Sequence, residues 1–291
     1  MRHPSEVLSH ATAFWGLVAG FAGIVLWWRA AGLSVGVAAA QFGLWFMFAI
    51  ALSRLVCEGG TFWIATPMQP QTLLVNTFGF RAFAARDMLM EGYTRWMGQD
   101  WRCLMMPNVV SSFKLCEHGE LSPRGLAAAI MASSAVALGV SFCTVIWQAY
   151  HLPGGGIGLS TWRFVGVCQE PFAVLQSWTL NPPGPQSVRT LFLGVGAAVM
   201  LGLQTLRAHY VWWPLHPLGY PISGTYAMQY MWASCFIAWA LKSLVLRYGG
   251  VKVYERSRSF FLGMVLGDFA MIAFWLVVEM FTGVRDHFLY P

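Results

Sequence analysis

Six stretches of this chain are continuously apolar, and its polar residues gather between them. The stretches run over roughly 10–30, 35–57, 124–150, 187–208, 224–246 and 258–282. A hydrocarbon core of about 30 Å needs about 20 helical residues, so each stretch is long enough to cross. Continuous apolar runs favour helices over the alternating segments of a membrane β-barrel. The cost of an unpaired amide in lipid leaves no third way to span a bilayer. The pattern predicts an all-α integral membrane protein of about six transmembrane helices, with irregular connections open to a re-entrant path.

The order of these runs divides the chain into three parts. Residues 1–57 hold an N-terminal helix pair, 58–123 a polar or interfacial segment, and 124–291 a four-helix membrane region with an irregular loop over 151–186. Arg2 and His3 precede the first run, as in a secretory signal. That run is longer than a signal's apolar core, carries Trp15, Trp27, Trp28 and Arg29, and lacks a small-residue cleavage site. It reads as a retained first helix.

Within 58–123, two prolines in Thr66-Pro67-Met68-Gln69-Pro70-Gln71 prevent a continuous helix. From 81 to 98, Phe83, Met90, Tyr93 and Met97 alternate with Arg86, Asp87, Glu91 and Arg95, the pattern of an amphipathic interfacial helix. A solvated helix with internal ion pairs fits the same residues. In 151–186, Gly154, Gly155, Gly156 and Gly158 precede Asn181-Pro182-Pro183-Gly184-Pro185, with Trp162, Phe164, Phe172 and Trp178 between. Such a segment reads as a partly ordered cap outside the membrane, its aromatics suited to an interface.

Composition sharpens the class without naming a function. The chain is 57% hydrophobic and 10% charged, with mean hydropathy +0.56, whereas a soluble domain carries roughly 25% charged residues. The net charge of +6 fits basic loops beside anionic lipid, and no basic run supports nucleic-acid binding. Six scattered cysteines form no C-x-x-C pair, so neither a disulfide framework nor a metal site is expected; Cys116-Glu117-His118 is too short a cluster to alter that. No cofactor is expected. Arg54, Arg81, Arg86, Arg95, Arg102 and Lys114 favour a cytoplasmic 58–123 and N-terminus. Six crossings would then place Arg247, Lys252, Arg256 and Arg258 outside, a conflict that an extra membrane entry near 210–223 would remove.

Polar residues inside or beside apolar runs are the candidates for chemistry. His209 to Pro221 contains three prolines and His216, and reads either as an interfacial turn with Trp212, Trp213 and Tyr220 at headgroup level or as a broken helix lining a site. Asp268 follows Gly267, which lies one turn beyond Gly263 in the last run, with Glu279 further along. A carboxylate in mid-membrane must face protein or water. Lys242 is its most evident basic counterpart. Arg54 and Glu58, spaced i to i+4, form either a gate or a helix-end ion pair. There is no H-E-x-x-H, G-x-S-x-G or C-x-x-C-H sequence, so nothing specific points to an enzyme.

The residue order from His216-Pro217-Leu218-Gly219-Tyr220 through Lys242 and Leu246-Arg247-Tyr248-Gly249-Gly250 to Phe261-Leu262-Gly263-Met264-Val265-Leu266-Gly267-Asp268 resembles the C-terminal region of a bacterial family of uncharacterised multi-pass membrane proteins, associated with oligopeptide-transporter-like proteins. The likeness covers about a third of the chain; Arg54 to Pro67 matches more loosely. It implies a transporter-like scaffold in the bacterial inner membrane, without a substrate. Such proteins are longer and have more membrane segments, so this chain would act as a homo-oligomer, as half of a split protein, or beside other membrane subunits. The expected function is that of a transporter-like component with a polar site at Asp268, Lys242 and His216 and a gate at Arg54 and Glu58. The alternative is a noncatalytic assembly subunit. Either way the lipid bilayer is its first partner.

Overall fold

The computed structural model describes residues 8–60, 66, 68–98, 104–118, 122–151 and 165–282, and all regular structure among them is helical. The glycine run at 154–158, Trp162, Phe164, Pro67 and Arg102 lie outside the described residues. The chain forms two compact units, Met1–Gln229 and Tyr230–Pro291.

The first unit begins with the hairpin of α1 (His10–Ala31) and α2 (Val35–Gly59). Ser9 starts α1 by accepting the Thr12 amide on its hydroxyl at 3.1 Å, which satisfies one of the four unpaired amides of a helix N-terminus. Gly32 ends it at φ 119°, where its amide reaches the Trp28 and Arg29 carbonyls. A side chain at that φ would be strained, and a Cβ would also meet the Arg86 guanidinium, which lies against this turn. Buried Val25, Leu33 and Ala38, with Phe21, Trp28 and Met90 around them, hold the hairpin base.

The 58–123 interval is broken into short helices. Pro70 opens α3 (Pro70–Phe78) at a position that needs no amide donor. A 3-10 turn at Phe80–Ala82, α4 (Ala85–Thr94), a second 3-10 turn at Arg95–Gly98 and α5 (Met105–His118) follow. The stretch from 81 to 98 is therefore not one helix. Its two acids, Asp87 and Glu91, are buried, whereas Arg81 and Arg86 are exposed. Buried Ala49 and Leu52 of α2 pack with Trp45, Phe48, Leu104 and Ile222 in a second core cluster.

The long apolar α6 (Pro123–His151) precedes α7 (Val167–Leu180), α8 (Ser187–His209) and the five-residue α9 (Gly219–Ser223). The described part of 151–186 is tied to the first interval rather than standing apart as a cap. The Phe80 amide donates to the Pro183 carbonyl at 2.9 Å, and the Gln186 amide to the Asn76 carbonyl at 2.7 Å. Tyr93 meets Phe172 edge-on with ring centres 5.2 Å apart. Residues 210–218 form a turn in which Tyr210, Trp212 and Trp213 contact one another. At about 1.5 Å per residue, α9 reaches only about 7.5 Å, so this stretch supplies no extra crossing.

Among the described residues, five helical runs are long and apolar enough to cross a membrane: His10–Ala31, Val35–Gly59, Pro123–His151, Ser187–His209 and Met228–Glu279. The last takes in α10 (Tyr226–Leu244) and α11 (Gly250–Thr282), and it spans 52 residues. Unbroken, it would reach about 78 Å, more than twice the hydrocarbon thickness. It is broken, by a π turn at Val245–Gly249 and by Gly250 at φ 68°. Lys242 lies 5.5 Å from the centre of the Tyr254 ring. A straight helix would separate those residues by about 18 Å along its axis, so the chain bends between them. The apolar segments expected over 224–246 and 258–282 are the two arms of this bent run.

In α6 and α8 none of the most apolar window is buried within the chain. Leu138 is 75% exposed and Met131 73%. Surfaces of this kind are stable against hydrocarbon rather than water.

Candidate functional site

The polar groups enclosed by the first unit form a seam where α2, α3 and α4 meet. Its rim is a clamp. Asp87, in the first turn of α4, accepts the Ser34 amide at 2.7 Å and the Ser34 hydroxyl at 2.9 Å. The carboxylate thus caps the N-terminus of α2 from another helix, where a negative charge also meets the helix dipole favourably.

One turn along α4 the seam goes inward. Gln71 of α3 donates its side-chain N–H to Thr94 Oγ1 at 3.0 Å, and Thr94 Oγ1 lies 2.9 Å from the Glu91 carbonyl and 3.3 Å from Glu91 Oε2. Gln71, Glu91 and Thr94 are 4%, 3% and 1% exposed. Burial pushes the Glu91 carboxyl up to about 8; the Thr94 hydrogen bond opposes this and the charge of Asp87 adds to it. The ten-residue α4 is not one of the five runs able to cross a membrane, so this carboxyl sits in a connecting element.

Gln41 of α2 is a further buried amide of the first unit. Ser34 touches Asp87, and the Trp45 indole N–H points to the Met97 carbonyl at 3.4 Å. Met90 packs on the cluster that includes Ala38. Gln41 lies between Ala38 and Trp45 in the sequence of α2. It is 2% exposed. Next to it, Phe42, Trp45 and Met97 help line an apolar cavity of about 400 Å³.

The seam is incompletely satisfied. Gln41 Oε1, Gln71 Oε1 and Glu91 Oε1 are buried without a hydrogen-bond partner, as is Gln69 Oε1. Buried polar atoms are nearly always paired, and leaving one unpaired costs about 1–3 kcal/mol. Beyond the seam, Arg95 closes this side with a fork to Glu170 at 3.0–3.2 Å and a further N–H to Thr72 Oγ1 at 3.3 Å.

The residues chosen from sequence lie elsewhere. Arg54 and Glu58 form an exposed i to i+4 pair at 2.7 Å. His216 is exposed in the turn after α8, where its Nδ1 accepts the Leu218 amide at 3.2 Å. Lys242 is exposed and rests over Tyr254, and Asp268 is exposed on α11. His216 belongs to the first unit, Lys242 and Asp268 to the second. Cys116 is buried, while the side chains of Glu117 and His118 lie outside the description. Gln41 was missed, although it is a lone amide in an apolar run; Gln71 carries no signal beyond the preceding proline.

Helices long and apolar enough to cross a membrane, joined in the first unit by short helices with buried polar groups, define an all-α, multi-pass membrane protein. The chain belongs to a family of unknown function, DUF6785, whose family model matches residues 2–291. No curated protein and no solved structure matches it. The likeness to an uncharacterised family thus extends over the whole chain, not its C-terminal third alone. The family's description assigns no transport activity.

Proposed function

We propose that the chain is a transporter-like component of the bacterial inner membrane, moving a small polar substrate by alternating exposure of a polar site. The observation that carries this reading is the seam itself. A scaffold gains nothing from buried acceptor oxygens without donors, whereas a binding site needs them. In this proposal His216, Lys242 and Asp268 contact the substrate along its route, Arg54 and Glu58 act as a gate, and the chain works as a homo-oligomer or beside other membrane subunits. The oligopeptide-transporter likeness of the sequence nominates short peptides as the first substrates to try.

The test is uptake of labelled di- and tripeptides by proteoliposomes containing the full chain. Uptake above empty vesicles that Asp268→Asn and Lys242→Met each reduce at least about tenfold, a loss of about 1.4 kcal/mol, supports the reading and its sites. Uptake that both variants leave intact rejects those sites, and no uptake of any peptide rejects the substrate class.

The second reading is a noncatalytic assembly subunit. It is favoured by α6 and α8, whose most apolar windows bury nothing within the chain. Native mass spectrometry of the chain extracted from its own membrane separates the two: stoichiometric foreign subunits favour assembly, and a homo-oligomer or monomer opposes it.

A further inference from the structure

The apolar cavity between α1 and α2 is built apart from the polar seam. Its α1 wall is Gly20, Gly23, Ile24, Trp27 and Trp28, which share one face of the helix by their i, i+3, i+4 spacing. The two glycines make the room: a Cβ built on either would meet no atom within 4 Å. Phe42 stands opposite, its ring centre 5.9 Å from that of Trp28. The volume of about 400 Å³ is that of a ligand pocket, and apolar space of this kind does not hold water. Both helices are long and apolar enough to cross a membrane, so the medium that meets this cavity is hydrocarbon chain.

The same face of α1 leads to a cation. Gly32 continues it one turn beyond Trp28, and the Gly32 amide donates to the Trp28 carbonyl at 3.0 Å. The Arg86 guanidinium lies on Gly32. Arg86 is exposed, and no carboxylate among the described residues pairs with it. Its neighbour Asp87 is turned to Ser34 at the N-terminus of α2, where the helix dipole offsets its charge. Arg29, in the last turn of α1, is a second exposed cation at this end. Arginine presents a planar fork of donors that suits phosphate oxygens. Length agrees with charge: Gly32 and Gly20 are separated by about 18 Å along the axis, and one leaflet supplies about 15 Å of hydrocarbon.

We propose that this cavity binds one anionic phospholipid, with an acyl chain against Gly20 and Gly23 and the phosphate on the Arg86 guanidinium. The chain supplies the dispersion contacts that an empty cavity forgoes, and the headgroup supplies the counter-charge that Arg86 lacks within the protein, as basic pockets between membrane helices do for anionic lipids. The site uses neither the seam nor His216, Lys242 and Asp268. It therefore stands or falls independently of the transport reading.

The experiment titrates the purified full chain in mild detergent with dioleoyl phosphatidylglycerol or dioleoyl phosphatidylcholine, which carry the same chains, and counts bound lipid by native mass spectrometry. Phosphatidylglycerol should fill one site with a midpoint at least about tenfold below that of phosphatidylcholine. Gly23→Leu places a side chain in the cavity and should raise the phosphatidylglycerol midpoint at least about tenfold, with helicity by circular dichroism unchanged. Arg86→Gln should raise it to the phosphatidylcholine value and leave phosphatidylcholine binding as it was. Equal midpoints for the two lipids overturn the proposal, as does a phosphatidylglycerol midpoint that folded Gly23→Leu or folded Arg86→Gln leaves unchanged. Displacement of the lipid by an equal concentration of inorganic phosphate also overturns it, because the acyl chain would then add nothing. Should one variant fail to fold, the other reads the same site from its opposite end.

Discussion

Glu91 sets how the first unit responds to pH. Its folded-state value of about 8 lies above the ordinary 4.5, so the folded state holds this proton more tightly than the unfolded chain. The stability this confers is fully present below about pH 4.5 and is lost as pH rises towards 8. At pH 7 the loss amounts to about 3 kcal/mol. Glu91→Gln removes it, so the variant should unfold at a higher temperature than the parent at pH 8 and at nearly the same temperature at pH 4.5. Thermal unfolding followed by intrinsic fluorescence reads both. Sequence gave partial access to this site. A lone glutamine within Val35 to Ile50 stands out in an apolar run, whereas Glu91 sits in a stretch whose alternating charges look solvated. Its burial depends on contacts made across the chain, such as Gln71 with Thr94 and Tyr93 with Phe172, which no local pattern encodes.

At the scale of elements, two contacts hold the short helices in place. The Asp87 carboxylate caps α2, and Asp87→Ala should cost about 2 kcal/mol, since both an amide and a hydroxyl lose their acceptor. Asp87→Asn keeps one acceptor oxygen and should cost less; the order of the two variants in thermal unfolding is the check. The Arg95 side chain is 13% exposed and that of Glu170 42%. Glu170→Gln should therefore destabilise more than Arg95→Met, because it leaves the buried guanidinium without its counter-charge, whereas the carboxylate left by Arg95→Met is reached by solvent. A double-mutant cycle should give a coupling of roughly 1 kcal/mol, reduced by solvent on the Glu170 side. The helix breaks at Pro70 and Gly32 are readable from sequence through proline and glycine chemistry. The pairing of Arg95 with Glu170 is not, because 75 residues separate them and each has nearer charges.

At the scale of the molecule, hydropathy alone located the long helices, because lipid imposes a minimum apolar length. It could not show that the last two segments are arms of one bent run, since a π turn and a positive φ leave no mark in hydropathy. The exposed α6 yields a further prediction. Leu138→Arg should disfavour insertion of α6 by about 3 kcal/mol, seen as a lower inserted fraction of the full chain with glycosylation sites in its loops. Leu138→Trp should insert as the parent does. Equal insertion by the arginine and tryptophan variants would mean that α6 meets water or polar protein at this position instead of lipid.

The Asp87 clamp also bears on the order of events during synthesis. Ser34 and Asp87 are 53 residues apart in the chain, and at 5–20 residues per second the ribosome needs about 3–10 s to make that length. Until then the start of the second helix lacks this cap. The N-terminal pair is thus synthesised before its cap exists. The same stretch of nascent chain delivers Gln71, Asp87 and Glu91 in turn, so the cap that completes the hairpin and the side chains of the buried seam leave the ribosome in one short run, after the helix pair they join.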